Sequence, residues 1–217
     1  MGSRWEMERK KDPYYRRAKS EDYRSRASYK LKQLNKRFKI IKEGNTVVDL
    51  GAAPGGWSQV ALEKIGEEGV VVGVDLNRIK PFPEGNFYGI RGDFTKEIVQ
   101  EKVMELTNGK VDVLMSDASP SLSGVKSIDH LRSIDLINAV LDIADNILKN
   151  DGNLVIKAFQ GPEYKTVYDE IKKRFRKVKS TKPPSSRNRS SEMYIVALGF
   201  KRPKNQIKVE KTDSEQI

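Results

Sequence analysis

Charged residues in this sequence recur at the carboxyl ends of short apolar runs, a placement that gathers them at one edge of a sheet. The first run, Thr46-Val47-Val48-Asp49-Leu50, opens into the small-residue loop Gly51-Ala52-Ala53-Pro54-Gly55-Gly56-Trp57. Asp75 closes the second run, Asp93 follows the third, Asp117 closes the fourth and Lys157 lies near the end of the fifth. Small residues after a first strand let backbone approach a ligand closely. An acid at the end of the second strand, here 24 positions beyond Gly51, can accept hydrogen bonds from ribose hydroxyls. A dinucleotide fingerprint would need Gly at position 53, where Ala53 stands, and Pro54 stiffens the loop where a pyrophosphate turn needs freedom. The spacing therefore fits an adenosine-bearing ligand without a pyrophosphate better than the cofactor of a nucleotide-dependent dehydrogenase. A tight strand-to-helix turn that binds nothing is the plainer alternative. Asp117 and Lys157 end runs expected to be buried, where isolated charges are costly, so paired and functional placement is expected for both.

Periodicity supplies the elements that hold these residues. Strands are predicted at 46–50, 70–75, 87–91, 111–117, 153–159 and 192–200. Helices are predicted at 56–65, 95–106 and 162–175. A long helix carries Ile134, Ile137, Leu141, Ala144 and Leu148 at spacings of 3, 4, 3 and 4. Upstream, Ser20 with Glu21 and Asp22 reads as a helix N-cap with acids in the first turn. From there Tyr23, Ala27, Leu31, Leu34 and Phe38 form one buried stripe, with Lys30 at its edge. Strands alternating with helices predict a largely parallel, doubly wound α/β sheet, and its Val-rich strands predict burial on both faces. Ligands bind such sheets outside the carboxyl ends of the strands.

The 217 residues fit one domain, divided here into a basic arm at 1–19, a body at 20–201 and a polar tail at 202–217. The arm is expected to order only on binding, and the tail is too short for an added RNA-binding domain. Cysteine is absent and His130 is the only histidine, which excludes disulfides, thiol catalysis and His-cluster metal sites; no metal is expected. His130 is expected to be a surface or capping residue. No apolar run is long enough for a membrane span, so a soluble, cytoplasmic protein is expected. The net charge of +11 is unevenly spread. Residues 1–42 hold 15 Lys and Arg against 5 Asp and Glu, residues 43–171 hold 12 against 21, and residues 172–204 hold 12 against 1. Two basic blocks around an acidic body suit a polyanion partner better than a membrane surface, since the blocks lack an amphipathic aromatic face.

The run VVDLGAAPGGWSQVA is followed in collinear order by GVDL around Asp75, RGDFT around Asp93, SDASP around Asp117, VIKAFQG around Lys157 and RNRSSEMYIVA around Glu192. Together these resemble the FtsJ/RrmJ-like family of ribosomal RNA large-subunit ribose 2′-O-methyltransferases, over about residues 20–201. The resemblance implies a Rossmann-like methyltransferase sheet of seven strands in the order 3-2-1-4-5-7-6, the last antiparallel. It implies S-adenosyl-L-methionine as cofactor and a catalytic tetrad on Lys30, Asp117, Lys157 and Glu192. It places Gly55 and Trp57 around the methionine part, Asp75 at the ribose, Asp93 at the adenine and Asp117 beside the methyl sulfonium; burial in the core is the alternative for Trp57. The loop after Pro120 reads Ser121-Leu122-Ser123-Gly124, where bacterial members carry Asn after that Pro, so the target-nucleotide pocket is expected to differ in detail.

The tetrad makes chemical sense. A ribose hydroxyl is a poor nucleophile near neutral pH and needs a group that orients it and takes its proton. Lysine ordinarily titrates near pH 10.4 and serves as that base only where burial or a second cation depresses it. The expected roles are Lys157 as the orienting base, Asp117 as its positioner, and Lys30 with Glu192 completing the network. The implied partner is ribosomal RNA, a uridine of the large subunit, free or in a ribosomal particle; the sequence does not give the oligomeric state, and a monomer is the favoured expectation. A transfer RNA methyltransferase and a non-catalytic RNA-binding assembly factor are the alternatives. Both basic blocks lead in sequence to a tetrad residue, Lys30 or Glu192, and are expected to flank the RNA cleft, with Tyr14, Tyr15 and Tyr23 available for base stacking.

Overall fold

In a computed structural model, residues 11–120, 124–187 and 190–202 are described. Arg4, Trp5, Arg9 and Lys10, the loop residues 121–123, Arg189 and the tail from 203 lie outside them. The chain runs α1 (Pro13–Ser20), α2 (Ser28–Phe38), β1 (Thr46–Leu50), α3 (Gly56–Ile65), β2 (Val70–Asp75), β3 (Phe87–Arg91), α4 (Glu97–Thr107), β4 (Val111–Ser116), α5 (Lys126–Ile147), β5 (Leu148–Phe159), α6 (Tyr164–Arg174), β6 (Phe175–Thr181) and β7 (Glu192–Phe200). The seven strands pair in the order β3-β2-β1-β4-β5-β7-β6, and β7 is antiparallel to both neighbours. Order and direction are those the resemblance implied.

Alternate residues of the central strands enter opposite cores. Val47, Val71, Val113 and Val155 pack under α2 and α3 with Leu31, Leu34, Trp57 and Ile65. Val48, Val72, Leu114 and Ile156 pack under α4, α5 and α6 with Val103, Leu141, Ala144 and Ile171. Each fully buried Val, Leu or Ile side chain contributes about 1.5–3 kcal/mol over its exposed form. A sheet clamped on both faces in this way fixes the carboxyl-end residues to the precision that chemistry needs.

Four expectations are corrected. Helix α2 begins at Ser28, not after Ser20. Ser20 ends α1, its hydroxyl donating to the Arg17 carbonyl, and Asp22 adopts a left-handed φ of 55° that breaks the path between the helices. Residues 13–20 of the arm are helical, because Asp12 caps them through the Tyr14 and Tyr15 amides and Pro13 supplies the first helical position. Strand β5 starts at Leu148, with a register irregularity opposite Val111–Val113 that absorbs the Asn150-Asp151-Gly152 turn. Finally, residues 175–181, to which periodicity assigns no strand, form the edge strand β6, which buries little beyond Phe175.

Candidate active site

The loop after β1 turns because Gly51 has a φ of +76°, and a Cβ there would lie 2.7 Å from the Ala118 Cβ and 2.9 Å from its Cα. Only glycine lets the β1 and β4 ends approach so closely. Between these ends and that of β2 lies a cavity of about 630 Å³ whose wall includes Gly51, Asp75, Asp93, Asp117, Arg132 and Asp135. Asp75 accepts from the Ala53 amide at 2.9 Å and the Asn77 amide at 2.8 Å, so its carboxylate is fixed at the rim. Asp93 accepts from the Thr95 amide at 2.9 Å and hydroxyl at 2.8 Å, bonds that hold its carboxyl below the usual aspartate range. Beneath the loop, Asp49 is buried. Its Oδ2 accepts from Ser58 at 2.7 Å, while Oδ1 is buried with no hydrogen-bond partner among the described residues. Burial, with the neighbouring charges of Asp117 and Asp75, pushes the Asp49 carboxyl up to about 7 despite the Ser58 bond.

Lys30, Asp117, Lys157 and Glu192 come together in one continuous polar chain. Glu192 Oε1 is 2.8 Å from Lys30 Nζ, which donates to the Tyr194 hydroxyl at 2.9 Å. The Tyr194 hydroxyl donates to Asp117 Oδ1 at 2.6 Å, and Lys157 Nζ lies 3.2 Å from that same oxygen while donating to the Asp117 carbonyl at 2.5 Å. The sheet register makes this possible: Lys157 stands directly opposite Tyr194, and Phe159 opposite Glu192, across the antiparallel β5–β7 pair. Lys30 enters from α2, on the sheet face that also buries Tyr194.

Tyr194 was not singled out by sequence reasoning. The signal for it is the two-residue period of β7, which points Glu192 and Tyr194 to the same face. Burial first, then the charges of Asp117 and Glu192, raise its hydroxyl well above the ordinary tyrosine range, so it stays a proton-bearing donor.

The chain joins two spaces. Asp117 lines the first cavity, while Lys30 and Glu192 line a second, of about 510 Å³, with Arg26, Ala27, Arg187 and Ser190. Lys157 lines neither cavity: it borders a small crevice with Ala118, Pro120 and Phe159 and reaches the first cavity through Asp117, so the arrangement suits two ligands meeting beside Asp117, the first bearing ribose hydroxyls for Asp75.

Other expected site residues stand apart. Trp57 is 3% exposed, donates its indole N–H to the Ala27 carbonyl at 2.9 Å and lies 5.8 Å from the Tyr194 ring. It braces α3 against the start of α2 and is not part of either cavity wall, nor is Gly55, whose absent Cβ leaves room for Arg24 and Phe82. His130 is half-buried rather than fully at the surface. It lies 2.6 Å from Glu163 Oε2 with its ring packed on Gly161, because the β5–α6 loop folds back over α5.

The basic blocks only partly flank the site. Arg17 pairs with Glu21, Arg24 donates to the Lys80 and Pro81 carbonyls, and Arg174 pairs with Asp145. Arg176 pairs with Asp151, and its neighbour Phe175 pairs with Phe200, at the end of β7 opposite Glu192. Arg26 and Arg187 do reach the second cavity. Among the described residues, no group of His, Asp and Glu could hold a metal, and no helix is long and apolar enough to cross a membrane.

The sequence profile of a family described as FtsJ-like methyltransferase matches residues 23–200. A Methanobrevibacter smithii protein named ribosomal RNA large subunit methyltransferase E is 73% identical over 205 residues, 94% of this chain and 98% of that one. A Methanothermobacter thermautotrophicus protein of the same name is 62% identical over 201 residues, 93% and 95% of the two chains. Among solved structures, a Plasmodium falciparum protein described as a ribosomal RNA methyltransferase superposes with a TM-score of 0.74 at 31% identity, covering 82% of this chain and 98% of that one.

Proposed function

Because this chain belongs to the FtsJ-like methyltransferase family, we propose that it methylates a ribose 2′-hydroxyl of large-subunit ribosomal RNA, at a uridine, with S-adenosyl-L-methionine as cofactor. The observation that carries the reading is the unbroken polar chain from Glu192 to Lys157 between the two cavities. The first cavity fits the cofactor chemically. Asp75 offers a fixed acceptor for ribose hydroxyls, Gly51 leaves bare backbone at the wall, and the Asp117 carboxylate favours a cationic ligand. When bound, the cofactor supplies an electrophilic methyl group.

The protein's own residues do the rest. The second cavity receives the target nucleotide, with its 2′-hydroxyl at Lys157. Lys157 holds that hydroxyl and, in its amine form, accepts the proton. Asp117 fixes Lys157 through both its carboxylate and its carbonyl, and Tyr194 fixes the other side of the reaction centre by donating to Asp117. Lys30, neutralised by Glu192, closes the chain at the RNA side. Much of the acceleration comes from holding two substrates in line. The substrate is ribosomal RNA, free or in a ribosomal particle, and the reaction is cytoplasmic.

The test is Lys157→Ala. Methyl transfer to ribosomal RNA should be lost while cofactor affinity, read by calorimetry, stays within a few-fold. Near-normal transfer by this variant would overturn the assignment of Lys157.

A further inference from the structure

Arg26 and Arg187 converge on the wall of the second cavity, and one carboxylate serves both. Asp12 accepts from a terminal nitrogen of Arg26 through Oδ2, and the same oxygen lies 3.8 Å from Arg187 Nε. Its Oδ1 is occupied by the helix cap, accepting from the Tyr14 and Tyr15 amides at 3.0 and 3.2 Å. The second terminal nitrogen of Arg26 donates to the Ser185 carbonyl, and its Nε is buried with no hydrogen-bond partner among the described residues.

Two guanidiniums therefore share a single carboxylate oxygen, and their donors exceed what that oxygen can accept. Lys30 is already matched by Glu192 in the same cavity, so this corner of the wall is left with surplus positive charge. A carboxylate and a phosphodiester both present two anionic oxygens to an arginine fork. Arg26 lies one helical turn before Lys30 in sequence, and Arg187 five residues before Glu192, so an anion held by the pair sits beside the outer end of the polar chain.

We propose that Arg26 and Arg187 form a subsite for a phosphodiester of the RNA strand, and that Asp12 is the resident anion with which that phosphate competes. This rests on the reading of the substrate as RNA. Asp12 holds the arginines together until RNA arrives and weakens the hold of any polyanion that does not seat in the cavity. It does so from the start of α1, whose cap keeps the carboxylate in place.

The test uses the full chain and in vitro transcribed large-subunit ribosomal RNA in filter-binding titrations over a range of salt. Asp12→Asn keeps the side-chain size and an acceptable helix cap while removing the charge. It should tighten RNA binding roughly three- to tenfold, the effect of one unit charge in a partly solvated site. Arg187→Ala should weaken binding and reduce the log–log salt slope by about 0.7, the share of one phosphate on a single strand. In the double variant the gain from Asp12→Asn should shrink to less than about twofold, because the carboxylate acts through the arginine.

Binding by Asp12→Asn that is unchanged or weaker, or a gain that persists in full without Arg187, would overturn the subsite. Cofactor binding by each variant reports that it is folded. Methyl transfer by the unsubstituted protein judges the function separately. A protein that methylates ribosomal RNA but whose Asp12→Asn variant binds it no more tightly keeps the function and loses the subsite. One that shows the binding pattern without methylating keeps the subsite and loses the function.

Discussion

Replacing Asp49 by Asn should change stability in a way that reverses sign with pH. The Asp49 carboxyl is buried beside α3 and, like Asp75 and Asp117, belongs to a set of acids at the ends of β1, β2 and β4. Burial, reinforced by those two charges, raises it from 3.8 to about 7. An acid whose folded value lies above its unfolded one binds more protons in the folded state, so stability falls as pH rises between the two values. The contribution is complete below pH 3.8 and lost above about pH 7. A difference of about 3 pH units corresponds to about 4 kcal/mol, at 1.36 kcal/mol per unit. Asparagine removes that term and can still accept from Ser58, but its amide N–H groups meet the position where Oδ1 has no partner, at a cost of about 1–3 kcal/mol. Asp49→Asn should therefore be less stable than the parent near pH 4 and more stable by about 1–3 kcal/mol near pH 8. Urea titrations of both proteins across this range measure the swing. A stability difference that does not change with pH would refute the reasoning, because it would mean that Asp49 is ionised at no cost.

Tyr194→Phe removes the hydroxyl that joins Lys30 to Asp117, two hydrogen bonds to charged groups, and should cost about 2–4 kcal/mol, lowering Tm by roughly 10 °C. Methyl transfer should fall more than cofactor affinity does; parental Tm and rate together would show that the link is idle. Gly51→Ala would drive a Cβ into Ala118 from a left-handed backbone and should destabilise by about 2–4 kcal/mol and weaken cofactor binding at least about tenfold, as calorimetry would show. Gly161→Ala would place a Cβ 2.3 Å from the His130 ring and should break its contact with Glu163, visible by NMR at fixed pH as displaced ring-proton resonances of the single histidine; unchanged resonances would show that the ring does not rest on Gly161.

Where sequence carried the structure, it did so through residues whose burial leaves a periodic trace. Val47 and Val48, or Val71 and Val72, could only be adjacent core residues in a strand covered on both faces, and the helices above them follow. Strand β6 left no such trace. It lies at a sheet edge, and FRKVKST shows the charge of a surface rather than the alternation of a core. The first helix was missed although Asp12-Pro13 is a capping signal, because the Tyr and Arg residues after it give no apolar period. In the site, Asp75, Asp93, Asp117 and Lys157 were legible as strand-end charges. Lys30 and Glu192 depended on the family resemblance, since their meeting is set by how α2 crosses β7. Tyr194 was invisible for a related reason: a tyrosine in an apolar strand reads as core, and only the register opposite Lys157 reveals its hydroxyl as a link. The basic blocks misled where their arginines serve the fold, as Arg24 and Arg174 do.

The polar chain from Glu192 to Lys157 is proposed to direct methyl transfer to a ribose hydroxyl of large-subunit ribosomal RNA. The direct measurement incubates the protein with methyl-labelled S-adenosyl-L-methionine and that RNA, digests the RNA to nucleosides and identifies the labelled product. Label in 2′-O-methyluridine, present with the parent protein and absent with Lys157→Ala, is the predicted result. Label on a base, or label in the ribose that persists without Lys157, would overturn the proposed role of this chain.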